Sequence, residues 1–409
     1  MNDVTAHVVI LGAGHAGGTA AALLRQYGHE GPITLVGEEP IAPYQRPPLS
    51  KAWLKGEADA DSLALKPVEF YAENNIDFRS GVRAVSIDRG KKTVALSNGE
   101  AVSYDILIIA TGARPIVLPI EGKDLAGVLF LRTAEDAEKL KAALGPGKRL
   151  AVVGGGYIGL EAAASARALG AEAVVIEREP RLLARVACEA LSTFFKDYHE
   201  KHGVTFELGA EVTGFKGEGG HVTGVALADG RVIACDAALV GVGARPNDEI
   251  ASEAGLECAR GVVVNLEART SDPAIFAIGD VAHRPMPIYG RMFRMESVPN
   301  ALEQAKQAAS AITGRPAPAG ETPWQWSDQY DIKLQIAGYP FDVDSLVLRG
   351  DPKSAKFAVF HLKGDQVQAV EAINSPPEFM MGRQLIGNRK PVSREKLADT
   401  TVSMKEVAL

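Results

Sequence analysis

The sequence predicts an α/β protein with two similar β-α-β domains and a small C-terminal α+β domain. Two glycine-rich turns each lie between a buried-strand pattern and a helical pattern. Hairpin turns at Asn98-Gly99 and Asp229-Gly230, and the GARP tetrapeptide that follows each of them, stand 131 residues apart. The last part of the chain changes to short alternating strands. A duplicated module followed by a separate domain is the simplest explanation.

The first module begins with a buried strand over residues 7–11, a helix over residues 16–25 and a second strand over residues 33–36. The same order recurs over residues 149–176. In each copy a small antiparallel meander follows, and then a last strand that ends at the GARP tetrapeptide. We therefore expect two copies of one β-α-β unit with an attached meander.

The turn of the first module carries Gly12, Gly14 and Gly17, and Glu38 follows its second strand. The first glycine permits a tight turn, the second lets the backbone approach a pyrophosphate, and the third lets the helix pack on the strand. The helix N-terminus then favours the anion. The acidic side chain can accept hydrogen bonds from both hydroxyls of an adenosine ribose. This pattern is typical of a Rossmann-like dinucleotide-binding domain.

The turn of the second module repeats the pattern with Gly154, Gly156 and Gly159, followed by Glu177. Two matches in one chain predict two Rossmann-like dinucleotide-binding domains. This organisation resembles a glutathione-reductase-like fold. A carboxylate at Glu177 would repel a 2′-phosphate and bind the free hydroxyl. We therefore expect NADH rather than NADPH, although two arginines follow Glu177 within four residues and could accept a phosphate.

The C-terminal domain follows a stretch rich in Pro, Ala and Gly over residues 317–323, which predicts a linker. Alternating residues predict strands over 356–362 and 366–373, and a helix is predicted over 378–386. These elements indicate a small α+β domain.

The two cofactors can be assigned from residues 270–280, where a strand ends in Gly279-Asp280. This run resembles the second FAD fingerprint, and it implies that the chain returns to the first domain after the second. FAD is therefore assigned to the first turn and the nicotinamide dinucleotide to the second. The predicted domains are residues 1–114 with 245–318 for FAD binding, 115–244 for NAD binding, and 319–409 for the C-terminal α+β domain.

The composition is that of a globular protein, with 409 residues, 46% of them hydrophobic and 23% charged. The net charge of -7 argues against a nucleic-acid-binding surface. The N-terminal residues lack a signal-peptide layout, and no apolar run reaches the roughly 18 residues of a membrane span. We expect a cytoplasmic protein that binds neither nucleic acid nor membrane.

Recognisable motifs run along nearly the whole chain, among them VILGAGHAG, RPPLSKAWL, ATGARP, VVGGGYIGLE, TSDPAIFAIGD, ESVPNALEQA and WQWSDQY. Together they resemble the FAD-dependent, NADH-using ferredoxin (redoxin) reductases of oxygenase systems. The resemblance implies hydride transfer from NADH to FAD, then single electrons to a [2Fe-2S] ferredoxin serving a P450 or Rieske oxygenase. It implies that Lys51 and Glu161 lie beside the isoalloxazine ring. The FAD contacts that it implies are Ala16, Glu38, Lys51, Val82, Arg132, Asp280 and Val298.

Residues 46–51 themselves predict a rigid extended segment that begins a helix after Ser50 and could aim the Lys51 cation at the flavin. A solvated helix lysine is the alternative. Glu161, early in its helix, could instead complement the helix macrodipole. Neighbouring motif residues complete the predicted sites, namely Arg46, Ala110, Gly112, Gly279 and Trp326 for FAD, and Tyr157, Ile158 and Gly243 for NAD.

The cysteines are not placed to form a flavin-linked disulfide. Only Cys188, Cys235 and Cys258 occur, none in a CxxC or CxxxxC pattern and none within residues 43–51, where related flavoenzymes carry a redox pair. A disulfide reductase is therefore disfavoured, and we expect the three residues to be small buried side chains. No His/Cys cluster has metal-ligand spacing, so no metal is expected.

Electrons without an internal disulfide must leave to a separate acceptor, which we expect to be an acidic [2Fe-2S] ferredoxin. Its predicted docking residues are Lys306, Trp326, Arg383, Arg389 and Lys390. A core position for the tryptophan and a solvated face for the charges are the alternatives. A rubredoxin reductase or a monodehydroascorbate-type reductase remains an alternative function. A signalling flavoprotein similar to the apoptosis-inducing factors is a more distant one.

Overall fold

A computed structural model describes residues 4–409, which group into two compact units. Unit 1 consists of the chain up to Gln45, Ala60–Arg114 and Arg245–Trp324. Unit 2 consists of Arg46–Asp59, Pro115–Ala244 and Gln325–Leu409. Residues 46–59, which the sequence places in the FAD-binding domain, thus group with unit 2. The boundaries of functional domains stay a prediction.

Helices and strands are numbered in chain order within residues 4–409. The strands β1 to β26 are Val8–Leu11, Ile33–Gly37, Ile76–Ser80, Ala84–Asp88, Thr93–Leu96, Ala101–Ser103, Ile106–Ile109, Ala113–Pro115, Val128–Leu129, Arg149–Val153, Glu172–Glu177, Val204–Leu208, Val212–Glu218, His221–Leu227, Val232–Ala234, Ala237–Val240, Ala244–Pro246, Val262–Val263, Ile275–Ala277, Ala282–Met286, Arg291–Phe293, Trp324–Gln329, Ile332–Gly338, Ser345–Asp351, Lys356–Lys363 and Gln366–Ile373. The helices α1 to α11 are His15–Gln26, Ala52–Lys55, Ala60–Leu63, Glu69–Glu73, Ala134–Ala142, Tyr157–Ala168, Glu189–Lys201, Glu249–Glu253, Val298–Thr313, Pro376–Asn388 and Arg394–Ala398. Short 3-10 turns are Pro47–Ser50, Gly279–Val281, Pro287–Tyr289 and Pro352–Ser354.

Unit 1 contains a parallel five-stranded sheet in the order β19-β7-β1-β2-β3. Strand β1 is buried along its whole length, as expected for a parallel strand covered on both faces. Helices α1 and α9 pack together on one face through alanines such as Ala20 and Ala305. On the other face, the meander β4-β5-β6 buries Val94 and Leu96 against the sheet. The first glycine turn, which follows β1, therefore lies at the end of a sheet that is covered on both faces.

Unit 2 repeats this architecture with a parallel sheet in the order β12-β11-β10-β16-β9 and a meander β13-β14-β15. The fifth strand differs between the copies, because β9 precedes the second β-α-β unit whereas β19 returns from beyond it. The predicted duplicated α/β fold is confirmed.

Unit 2 also contains the C-terminal sheet, in the order β22-β23-β26-β25-β24. The neighbouring pairs β23-β26, β26-β25 and β25-β24 are all antiparallel. Helix α10 packs on β23 and β26. A Cβ added to Gly382 of α10 would lie 2.5 Å from Val370 Cγ1, so this helix lies close against the sheet. The predicted C-terminal α+β fold is confirmed. Within residues 4–409 no helix is both long and apolar enough to span a membrane.

Candidate active site

The first glycine turn joins β1 to α1 in unit 1. Gly12 has a φ of +109°, and a Cβ on it would lie 2.2 Å from the carbonyl oxygen of Ala110. A Cβ on Gly17 would lie 1.9 Å from Gly12 O, whereas one on Gly14 would meet no atom within 4 Å. Gly14 caps α1 without a side-chain hydrogen bond, so first-turn N–H groups remain for an anion. This turn fits the pyrophosphate of a dinucleotide.

The second glycine turn, between β10 and α6 in unit 2, has the same geometry. Gly154 has a φ of +111°, and its Cβ would lie 2.5 Å from Gly241 O. A Cβ on Gly159 would lie 2.3 Å from Gly154 O, and one on Gly156 would meet nothing within 4 Å. Gly156 caps α6 without a side-chain hydrogen bond and leaves open space beside the helix N-terminus, so this turn also fits a pyrophosphate. The chain therefore has two cradles for dinucleotide cofactors.

The two acidic residues that follow the second strands differ in their surroundings. Glu38 has a side chain that is 75% exposed, with one oxygen 4.0 Å from Arg83 Nε. Glu177 instead accepts hydrogen bonds from Gly155 N at 2.6 Å and from Glu179 N at 2.8 Å. A carboxylate has about four acceptor positions, so Glu177 can support the glycine turn and still bind ribose hydroxyls.

Gly279-Asp280 follows β19 and lies beside the first glycine turn. Gly279 has a φ of +76°, donates its N–H to Gln304 Oε1 at 2.6 Å, and would place a Cβ 2.9 Å from Ala16 Cβ. Helix α9 begins at Val298 after Ser297, whose Oγ accepts from Asn300 N. Most residues assigned to FAD in unit 1 therefore gather at the carboxyl ends of parallel strands, where open α/β sheets bind ligands. They are Gly12, Gly14, Ala16, Gly17, Glu38, Val82, Ala110, Gly112, Gly279 and Asp280.

Residues assigned to NAD have the corresponding place in unit 2, around the ends of β10, β11 and β16. Gly243 has a φ of +116°. Tyr157 begins α6 and donates its hydroxyl to Val186 O at 3.2 Å, and Ile158 is half exposed. The set in this region is Gly154, Gly156, Tyr157, Ile158, Gly159, Glu177 and Gly243.

Glu161 is the centre of a buried polar cluster in unit 2. Lys51 Nζ donates to its Oε2 at 2.7 Å, and Ser50 Oγ donates to the same atom at 2.5 Å. Ser327 Oγ donates to Oε1 at 2.6 Å. The Glu161 side chain is 5% exposed and that of Lys51 is 18% exposed. Lys51 is thus a member of a largely buried ion pair and not a solvated helix lysine.

The segment that carries Lys51 is held by local turns and by unit 2. Pro47–Ser50 form a 3-10 turn, after which Lys51 precedes α2 and donates a second hydrogen bond to Pro47 O at 3.1 Å. Arg46 donates to the carbonyl oxygen of Arg132, and Ser165 Oγ of α6 donates to Ser50 O at 2.7 Å. These contacts fix the position of the ammonium group.

The cluster continues from Ser327 into the interior of unit 2. Gln329 Nε2 donates to Ser327 Oγ at 3.1 Å, and Gln329 Oε1 lies 2.8 Å from His199 Nε2. His199 is fully buried, and burial lowers its pKa to about 4, so the ring is neutral at pH 7. Its Nε2 is therefore the donor to Gln329. Sequence reasoning did not assign Ser50, Ser327, Gln329 or His199, although the period-2 alternation of β22 places Ser327 and Gln329 on one face.

Trp326 lies on the opposite face of β22 and is half-buried. Arg383, whose guanidinium lies 6.0 Å from the Phe379 ring centroid, and the exposed Arg389 and Lys390 also belong to unit 2. Lys306 belongs to unit 1 and lies 3.5 Å from Glu321. The predicted docking residues are therefore divided between the two units.

The three cysteines are free. Cys188 and Cys235 are buried, as expected, but Cys258 is partly exposed because it lies in a loop beside the short strand β18.

Known proteins match this chain over nearly its whole length. The family model for pyridine nucleotide-disulphide oxidoreductase matches residues 6–305, and the model for reductase C-terminal matches residues 324–408. The probable ferredoxin reductase CtmF of Castellaniella defragrans is 53% identical over 98% of both chains. A rubredoxin-NAD(+) reductase of Pseudomonas putida is 44% identical over 90% of this chain and 96% of its own. The solved covalent putidaredoxin reductase-putidaredoxin complex matches with a TM-score of 0.96 and 41% identity, covering 98% of both chains. The chain therefore belongs to the pyridine nucleotide-disulphide oxidoreductase family.

Proposed function

We propose that this protein is an FAD-dependent NADH:ferredoxin reductase. In the overall reaction one NADH and two oxidised [2Fe-2S] ferredoxins yield NAD⁺, a proton and two reduced ferredoxins. The observation that carries the proposal is the pair of glycine turns with matching geometry, in a chain whose segment 43–51 holds Lys51 in place of a cysteine pair. The three free cysteines offer no internal disulfide to reduce. The electrons therefore go to a separate protein.

FAD, when bound, would supply a hydride acceptor for NADH and a donor of single electrons. The turn at Gly12, Gly14 and Gly17 would hold its pyrophosphate through backbone N–H groups. Glu38 would accept hydrogen bonds from the hydroxyls of the adenosine ribose, and the Asp280 carboxylate would meet the ribityl or phosphate region of the flavin. The family resemblance implies further FAD contacts at Ala16, Lys51, Val82, Arg132 and Val298. Motif residues near these positions complete the proposed site, namely Arg46, Ala110, Gly112, Gly279 and Trp326.

Lys51 provides a fixed positive charge for the reacting ring. Its ammonium group is held by Glu161 and by Pro47 O, so it does not need to reorganise when negative charge develops nearby. Glu161 in turn is held by Ser50 and Ser327. In this proposal Lys51 and Glu161 are the catalytic residues, and the two serines position them.

The second turn binds NADH, with Glu177 selecting the cofactor that lacks a 2′-phosphate. The carboxylate is held by Gly155 N and Glu179 N, so a phosphate would meet a fixed negative charge. We propose a cytoplasmic location, where NADH is supplied and the three free cysteines stay reduced.

The ferredoxin partner is supported by the similarity to a putidaredoxin reductase whose solved structure is a complex with putidaredoxin. We propose that the partner docks near Lys306, Trp326, Arg383, Arg389 and Lys390. A rubredoxin is the second candidate acceptor, because a relative named rubredoxin-NAD(+) reductase is 44% identical.

Steady-state cytochrome c reduction tests the proposal. The FAD-loaded enzyme is assayed with NADH and with either a [2Fe-2S] ferredoxin or a rubredoxin as the intermediate carrier. We expect the ferredoxin to accelerate cytochrome c reduction well above the rate without a carrier. A faster rate with rubredoxin would favour the second candidate, and no acceleration by either carrier would contradict both.

A further inference from the structure

Cys188, His361 and Glu371 form a buried cluster within unit 2. None of the three is assigned to a cofactor, but the cluster lies near Tyr157, whose hydroxyl donates to Val186 O two residues before Cys188. The ligand atoms of the three residues all lie within 4.8 Å of one another. Cys188 directly precedes α7, whereas the other two residues belong to the neighbouring strands β25 and β26. Val359 pairs with Glu371 and His361 with Ala369, so His361 and Glu371 are diagonal neighbours on one face of the sheet.

The polar atoms of this cluster are poorly satisfied by the protein. Glu371 is 2% exposed, and within residues 4–409 no lysine or arginine forms an ion pair with it. Within the described residues its carboxylate accepts hydrogen bonds from Cys188 alone, from the backbone N at 3.1 and 3.2 Å and from the thiol. His361 is 5% exposed, and its Nε2 is buried without a hydrogen-bond partner, 3.4 Å from Glu371 Oε2. A buried carboxylate and a buried ring nitrogen left in this way are costly, and both would be satisfied by a cation.

The donor set matches one class of ion. A thiolate, an imidazole nitrogen and a carboxylate oxygen are the ligands of Zn²⁺, and three protein ligands with one open position are a common arrangement. Two N or O ligands in a tetrahedral zinc shell lie about 3.3 to 3.5 Å apart, which agrees with the 3.4 Å between His361 Nε2 and Glu371 Oε2. Mg²⁺ and Ca²⁺ prefer sets made only of oxygen atoms.

A cavity of about 460 Å³ opens beside the cluster, with Cys188 and His361 among its lining residues, together with Arg185 and Asp344. It provides an entry route and space for a water ligand. We propose that Cys188 Sγ, His361 Nε2 and a carboxylate oxygen of Glu371 bind one Zn²⁺ ion, with a water from this cavity as the fourth ligand.

Binding at this site balances charge. Burial and the Glu371 carboxylate raise the pKa of the Cys188 thiol to about 12, which argues against a nucleophilic role for it. A bound Zn²⁺ replaces the thiol proton, which leaves to solvent. The ion, the thiolate, the carboxylate and a neutral imidazole then sum to zero charge.

The ion would join α7, which follows the second β-α-β unit, to the C-terminal sheet. Cys188 and Glu371 are 183 residues apart, so the bound metal closes a long loop of chain. A ligand that binds the native state and not the unfolded state shifts unfolding to higher temperature. Zn²⁺ should therefore stabilise the protein whatever its electron acceptor is.

Isothermal titration calorimetry with ZnCl₂ on the chelator-treated, FAD-loaded enzyme tests the site. We expect one zinc ion per chain, and a loss of affinity of about 100-fold or more in Cys188→Ser and in His361→Gln, because each removes a ligand. Cys235→Ser is the matched control, since Cys235 is also buried but belongs to a hydrophobic core cluster. Binding that is absent in the wild type, or unchanged in both ligand variants, would overturn the proposal.

A second measurement does not depend on the variants folding. Wild-type crystals soaked in micromolar ZnCl₂ should give one strong anomalous difference peak at the zinc absorption edge, between Cys188 Sγ, His361 Nε2 and Glu371. A strong peak at other residues only, or none at all, would also overturn the proposal.

Discussion

Lys51 Nζ lies 2.7 Å from Glu161 Oε2, and the carboxylate that it contacts is 5% exposed. A buried carboxylate of this kind depends on all its donors, because removing one partner leaves negative charge without compensation. The pair therefore links the position of Lys51 to that of Ser50 and Ser327, which donate to the same carboxylate.

Replacing Lys51 with methionine should slow flavin reduction by NADH about 100-fold, because a fixed cation beside the reacting ring is lost. Stopped-flow absorbance near 450 nm measures this rate. Lys55→Met is the matched control, since Lys55 ends the short helix α2 that Lys51 directly precedes, but it pairs with the exposed Glu57. Equal bleaching rates in Lys51→Met and the wild type would exclude a catalytic role for Lys51.

Replacing Gly156 with alanine should leave the fold intact and weaken NADH binding. A Cβ there would meet no protein atom, but it would occupy the space proposed for the pyrophosphate. We expect a KM for NADH raised about tenfold, and a Tm within about 3 °C of the wild type. In contrast, Gly159→Ala would place a Cβ 2.3 Å from a backbone oxygen and should lower the Tm by roughly 5 °C or more. Similar Tm values for the two variants would contradict this interpretation of the turn.

Replacing Glu177 with glutamine should reduce the preference for NADH over NADPH. The variant keeps an acceptor oxygen for the turn but removes the charge that repels a 2′-phosphate. We expect the ratio of kcat/KM values for the two cofactors to fall about tenfold or more. Glu172→Gln is the control, because Glu172 is exposed at the opposite end of β11 from Glu177. An unchanged ratio in Glu177→Gln would mean that other residues select the cofactor.

Unfolding should depend on pH through His199. Its pKa is lowered from 6.5 to about 4 in the native state, so the unfolded chain binds the additional proton between these values. The contribution to stability is fully present above pH 6.5, and about 3 kcal/mol is lost as the pH falls to 4. Denaturant titrations at pH 7 and pH 5 measure the difference. His199→Gln should show a smaller loss than the wild type, whereas the exposed His202→Gln should behave like the wild type.

Docking of ferredoxin should weaken as ionic strength rises, because the proposed contacts join basic residues to an acidic partner. Raising NaCl from 50 to 300 mM shortens the Debye screening length, which is about 10 Å at 0.1 M salt. This change should increase the KM for ferredoxin several-fold. Reduction of ferricyanide should change little. Arg389→Glu with Lys390→Glu should mimic high salt at 50 mM NaCl. A KM for ferredoxin that is insensitive to salt would contradict docking by these residues.

Local patterns were sufficient to predict both glycine turns. Each turn needs a strand, three glycines, a helix and an acidic residue within about 30 consecutive residues, so backbone sterics and short-range packing determine it. The shared spacing of 131 residues between the two hairpin turns and between the two GARP tetrapeptides likewise predicted the duplicated fold. Unit 1 completes its sheet with β19, which the likeness of residues 270–280 to an FAD fingerprint predicted. Unit 2 completes its own sheet with β9, which no sequence pattern predicted.

The sequence by itself determined the fold class, the two cradles and the lack of a cysteine pair. Only the tertiary structure decided which side chains surround Glu161, since Ser50 and Ser327 are 111 and 166 residues away from it. The same holds for Cys188 and Glu371, 183 residues apart. The physical reason is that such contacts depend on strand register and on the packing of segments distant in sequence, and each partner alone looks like an ordinary serine, cysteine or glutamate.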